Sequence, residues 1–126
     1  VVGDESALGL ATYLNEEHEV RLLSTDPAAI RTAAARGIEA ERTRIDDGGQ
    51  LRKHAPDAAG AVVSTDRDRL NLLVAQLLRT VCDVDDVAVI VNDPQNLDLF
   101  EGIDVHPVHG SSLVGPAIDE TLLDDE

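Results

Sequence analysis

Two short runs, "AGAVVST" and "DVAVIVND", constrain this chain more than anything else in it. Each is built from small and β-branched residues at nearly every position, without the alternation of a strand that has one wet face. Such a run predicts a strand covered on both sides, and strands of that kind belong to parallel sheets, whose crossovers place helices above and below. A parallel neighbour also needs a connection of about a dozen residues or more, so helical segments have to lie between the strands.

The rest of the chain supplies them. From Ser6 to Glu16, Ala7, Leu10, Ala11 and Leu14 share one face at helical spacing, and "HEVRLL" then reads as a strand. In "TDPAAIRTAAARG", Asp26 is placed to cap free N–H groups, Pro27 suits the first helical position and Gly37 the left-handed exit. "IEAER" predicts a third strand and "DDGGQLRKHA" a short, glycine-weakened helix. A longer helix is expected from Asp68 to Val81, with Leu70, Leu73, Val74, Leu77, Leu78 and Val81 on a broad apolar stripe and Leu72 and Arg79 pointing elsewhere. Asp93-Pro94 opens a further helix, and "GIDVHPV" is a sixth strand. The expectation is an α/β fold, a doubly wound parallel sheet of six strands, in one domain over residues 1–110. Residues 111–126 read as an acidic tail or short helix.

At 126 residues the chain suits one domain, which buries roughly two thirds of its unfolded surface. Its 25 acidic and 10 basic residues give a formal charge of -15, and Lys53 is the only lysine. That balance argues against nucleic acid and anionic membranes as partners, because both call for a positive face. The charge is spread over otherwise ordinary amphipathic elements, as in a protein adapted to a salty cytoplasm. With Tyr13 and Phe100 the only aromatic residues, the core has to be aliphatic. Cys82 is the sole cysteine, so an internal disulfide and a zinc-thiolate cluster are both excluded, and it reads as a small core residue. No apolar run reaches the roughly 20 residues of a membrane span. Only Val1 and Val2 precede the first turn, so the first strand is expected to be clipped. Serine, histidine and aspartate are present without a nucleophile elbow or paired-carboxylate spacing, so no enzyme is expected. His106 and His109 in "HPVH" lack neighbouring ligands and read as structural or exposed loop residues.

The opening "VVGDESALG" is a strand-to-turn-to-helix stretch of the kind in which glycines let a backbone approach a pyrophosphate. Together with "GAVVSTDRDRLNLLVAQLL" and "VAVIVNDPQNLDLF", it resembles the TrkA N-terminal (RCK N-terminal) domains that regulate potassium channels and transporters. The resemblance covers nearly the whole chain. It implies a Rossmann-like fold, a nucleotide ligand (NAD first, ATP or ADP as alternatives), a potassium channel or transporter as partner, a cytoplasmic location and a homodimer or larger homo-oligomer. Its alternative is an interaction domain that keeps the sheet and binds no nucleotide.

The same resemblance implies the site. Gly3 matches the first glycine of the turn, and Gly9 serves as the last only if the loop is one residue longer. Asp4, Glu5, Ser6 and Ala7 lie between them. Two carboxylates beside a pyrophosphate are repulsive, and Glu5 occupies space usually left empty, so Glu5→Gly is expected to strengthen binding. Ser6 is suited to cap the helix or donate to a phosphate. An acidic residue usually ends the second strand, where it accepts from ribose hydroxyls. Here Ser24 holds that position, with Thr25 next and Asp26 as helix cap or ribose ligand. Thr43-Arg44 replaces the Gly-Asp pair near the adenine, and Ser24, Thr25 and Arg44 suit a phosphate-bearing ribose or another anion. Thr65 and Asp66, after the fourth strand, complete the set, with Asp66 an alternative cap for the next helix. Asn71 and Asn92 are expected to organise backbone turns.

Overall fold

The two apolar runs become adjacent central strands. The computed structural model describes residues 1–54 and 59–109, and the tail expected at 111–126 lies outside the described residues. The strands are β1 (Val2–Gly3), β2 (Arg21–Ser24), β3 (Glu39–Arg42), β4 (Ala61–Ser64), β5 (Val87–Val91) and β6 (His106–His109). They form one six-stranded sheet in the order β3-β2-β1-β4-β5-β6, parallel throughout. This is the doubly wound, Rossmann-like architecture expected.

Alternation along the strands divides the core. Val2, Leu23, Ala61, Val63, Val87, Val89 and Val91 face one side, where they meet Leu51 of α3 (Gly48–His54) and Val74, Ala75 and Leu78 of α4 (Asp68–Thr80). On the other side Leu22 packs with Ala7, Leu8 and Ala11, and with Ala29 and Ala33 of α2 (Pro27–Ala35). Val62, Ala88 and Ile90 meet Leu10 and Leu14 of α1 (Leu8–Asn15). β4 and β5 are buried at every position, as strands covered on both faces must be.

Local chemistry sets the helix ends. Asp26 Oδ1 accepts from the Ala28 amide at 2.9 Å with Pro27 at the first position, and Gly37 leaves α2 with φ 76°. The first helix starts tighter than expected. A 3₁₀ turn at Glu5–Ala7 precedes α1, because the Ala7 amide donates to the Asp4 carbonyl and the Ser6 amide to the Asp4 side chain. The segment Pro94–Phe100 is also 3₁₀ rather than α, capped by Asp93. The sixth strand expected in "GIDVHPV" is β6, which starts at His106 and runs on to His109, so both histidines read as structural or exposed loop residues lie in an edge strand, where Pro107 is tolerated because an edge has one unpaired side.

The stripe on α4 needs correction. Leu73 is 42% exposed and Val81 38%, while Leu72 packs against the core. The inward face is Asp68, Asn71, Val74, Ala75 and Leu78. An apolar pattern alone misses it because two polar residues, satisfied by hydrogen bonds, take the inward positions at the helix start.

Candidate functional site

The sheet order jumps from β1 to β4, so the turns leaving these neighbours carry their helices to opposite faces and part at the carboxyl edge. Gly3 ends β1 where no side chain fits. A Cβ there would overlap the Ser64 carbonyl oxygen and stand 2.8 Å from the Ala7 Cβ. Asp4 follows and turns its carboxylate back on the chain. Oδ1 accepts from the Ser6 amide at 2.9 Å and the Ser6 hydroxyl at 2.5 Å, and Oδ2 accepts from the Asp66 amide at 3.2 Å. Partial burial pushes the Asp4 carboxyl up, but the donors from Ser6 and Asp66 outweigh it and hold the group below its ordinary value of 3.8.

After β2, the buried Ser24 hydroxyl accepts from the Asp26 amide at 3.0 Å, and Thr25 donates to the Thr43 carbonyl at 3.1 Å. These bonds fix the chain where a ribose-binding carboxylate usually stands. After β3, Arg44 reaches toward Asp46 at 3.6 Å with both side chains largely exposed. Such an exposed pair contributes little to stability and leaves the guanidinium available.

The β4 turn is held from below by side chains that act on backbone. Asn71, fully buried, accepts from the Thr65 amide at 3.0 Å and hydroxyl at 2.6 Å, and donates to the Thr65 and Ile90 carbonyls. Asn92 donates to the Thr65 carbonyl at 2.9 Å, so both asparagines organise turns. Asp68 gathers the Asn92 and Asp93 amides at 2.7 and 3.0 Å and the Asn92 and Asn96 side-chain amides at 3.0 and 2.8 Å. Burial raises this carboxyl, and those donors lower it further, leaving it below its ordinary value. Asp66 does not cap α4: the cap position is Arg67, without a side-chain cap bond, and Asp66 is tied through its own amide to Asp4.

These turns border a cleft of about 420 Å³ lined by Gly3, Asp4, Ser24, Thr25, Asp26, Arg44, Ile45, Asp46, Thr65, Asp66, Arg67 and Leu70. Eight residues singled out in the sequence thus meet in one place: Gly3, Asp4, Ser24, Thr25, Asp26, Arg44, Thr65 and Asp66. Glu5, Ser6, Ala7 and Gly9 do not line it. Glu5 is exposed, Ala7 is buried against Gly3, and Gly9 sits exposed on α1, where an added Cβ would have nothing within 4 Å. Sequence reasoning missed Ile45, Asp46, Arg67 and Leu70. Ile45 and Leu70 give the cleft apolar walls, and Arg67 gives it a second cation; Ile45 and Arg67 adjoin the predicted Arg44 and Asp66, whereas Leu70 carried no such signal. Four aspartates and two arginines leave the lining at a formal charge of -2.

Among the described residues no group of three histidine, cysteine, aspartate or glutamate side chains is arranged to hold a metal, and no helix is long and apolar enough to cross a membrane. Cys82 packs partly buried against the core, and burial pushes its thiol up against the opposing influence of Arg52, which keeps it protonated.

The family model described as the TrkA-N domain matches residues 3–109. The fold is that of the NAD(P)-binding domain of an exopolyphosphatase-related protein from Archaeoglobus fulgidus, with a TM-score of 0.76, 21% identity, and coverage of 94% of this chain and 93% of that one. The search of curated proteins found no match.

Proposed function

Because the chain belongs to the TrkA-N domain family, we propose that its cleft is a regulatory nucleotide site, with NAD or NADH the first candidate and ATP or ADP the alternatives. The observation that supports this most is the convergence of four strand-end turns on one cleft at the β1/β4 crossover, closed underneath by a glycine that admits no side chain. Ile45 and Leu70 would flank a base, Ser24, Thr25 and Asp26 would meet a ribose, and Arg44 and Arg67 would face phosphate. Gly3 fits a close approach of ligand to backbone. Nothing in this set needs to perform catalysis, so the domain acts by binding.

The output we propose is a potassium channel or transporter that this domain regulates, without entering the membrane itself, from the cytoplasmic side and as a homodimer or larger homo-oligomer. A ligand favouring one arrangement of subunits would shift the population toward it by its difference in affinity.

Titration calorimetry with NAD, NADH, NADPH, ATP and ADP in molar potassium chloride tests the binding. Measurable heat with at least one of them is the expected result. Silence with all five would leave the interaction domain that has lost its ligand as the better account.

A further inference from the structure

We propose that Asp4 is an internal competitor for phosphate: its carboxylate holds the Asp66 amide, a donor of the cleft wall that a phosphate-bearing ligand would need, and such a ligand binds by displacing it. This rests on the nucleotide reading of the same cleft. Oδ1 takes the Ser6 amide, which would be an ordinary cap on its own. Oδ2 takes the Asp66 amide, 62 residues away in sequence, from the turn after β4. No cap requires that second contact. It ties together the two turns that flank the crossover, and Asp4 lines the cleft while doing so.

A carboxylate and a phosphate are both anions that prefer the same N–H groups, so they cannot occupy them together. The phosphate carries more charge, and Arg67, next in sequence to Asp66, shares the lining with Asp4. Displacement is therefore feasible, at a loss of affinity equal to the bonds Asp4 gives up. Once the carboxylate leaves, the tie between residues 4 and 66 opens. Occupancy is thereby converted into a change in how the first and fourth turns are joined, which a ligand without phosphate would not cause. The carboxylate that obstructs is thus Asp4 in the lining, rather than the exposed Glu5.

The test uses Asp4→Asn, which keeps an acceptor for the cap and loses the charge, and Asp4→Ala, which loses both. Each is titrated with ADP, NAD and, as the phosphate-free probe, adenosine. Both variants should bind ADP and NAD roughly tenfold tighter or more than the native chain, with no comparable gain for adenosine. In the native chain the Asp66 amide resonance should shift much further on adding ADP than on adding adenosine, because only ADP takes its hydrogen bond from Asp4. Unchanged or weaker binding of ADP and NAD by the variants would overturn the proposal, as would an equal gain for adenosine. If native and variant proteins ignore all three probes, the nucleotide reading falls and the competitor role with it. Should Asp4→Ala fail to fold, Asp4→Asn and the native amide resonance decide.

Discussion

Two glycines with opposite environments show how far a single residue can be read. Gly3→Ala would drive a Cβ into the Ser64 backbone and the Ala7 side chain, neither of which has room to move without parting β1 from β4. A loss of about 3 kcal/mol or more is expected in chemical denaturation. Gly9 sits exposed within α1 with open space around it. Gly9→Ala should therefore stabilise the protein by about 0.5–1 kcal/mol in the same assay, because helix propensity is the only quantity it changes. The sequence pairs these glycines as the ends of one loop. Their difference was illegible there because it depends on the carbonyl of a residue in another strand. Ser24 is similar: its position at the end of β2 follows from the pattern, but the buried hydroxyl's bond to the Asp26 amide does not.

At the scale of elements, the alternation of buried runs with helical stretches was legible and implies a parallel sheet, but right-handed crossovers are compatible with more than one strand order, and β3-β2-β1-β4-β5-β6 is read from the structure. Legibility failed where polar residues face inward. α4 is seated by Asp68 and Asn71, and a hydrophobic stripe cannot register either. Asp68 accepts four hydrogen bonds from the β5 end and the following segment, so Asp68→Ala should cost about 2 kcal/mol at neutral pH by leaving those donors unpaired. The pH dependence has a definite sign. The folded state holds this carboxyl below its ordinary value of 3.8, so the stabilisation is fully present above that value and is lost as the pH falls through the lower folded one. Denaturation curves of native and variant protein should accordingly converge as the solution is acidified below 3.8, and a constant gap would mean that packing, not the charge, accounts for the loss.

The whole molecule is governed by its charge of -15 and by a cleft that is itself negative. Self-repulsion is screened by salt, so the melting temperature followed by circular dichroism should be higher in molar than in millimolar potassium chloride. The same screening gives nucleotide binding an unusual direction, with affinity rising with salt where a cationic site would lose it. Equal melting temperatures at both salt levels would remove the case for salt adaptation. Through the family resemblance the sequence located eight of the lining residues, all of them at or just after strand ends, which gather at one edge of the sheet, while Ile45 and Asp46 after β3 were missed. Leu70 and Arg67 were missed as well, since which side of α4 faces that edge depends on how the helix is seated. The central claim, that this edge is a nucleotide site, is tested most directly by nitrogen-15 amide shifts on adding NAD, ADP or ATP in molar potassium chloride. Shifts should cluster at Gly3, Asp4, Ser24 to Asp26, Arg44 to Asp46 and Thr65 to Arg67, leaving β6 unmoved. Shifts gathered away from the carboxyl edge, or none with any of the three, would contradict it.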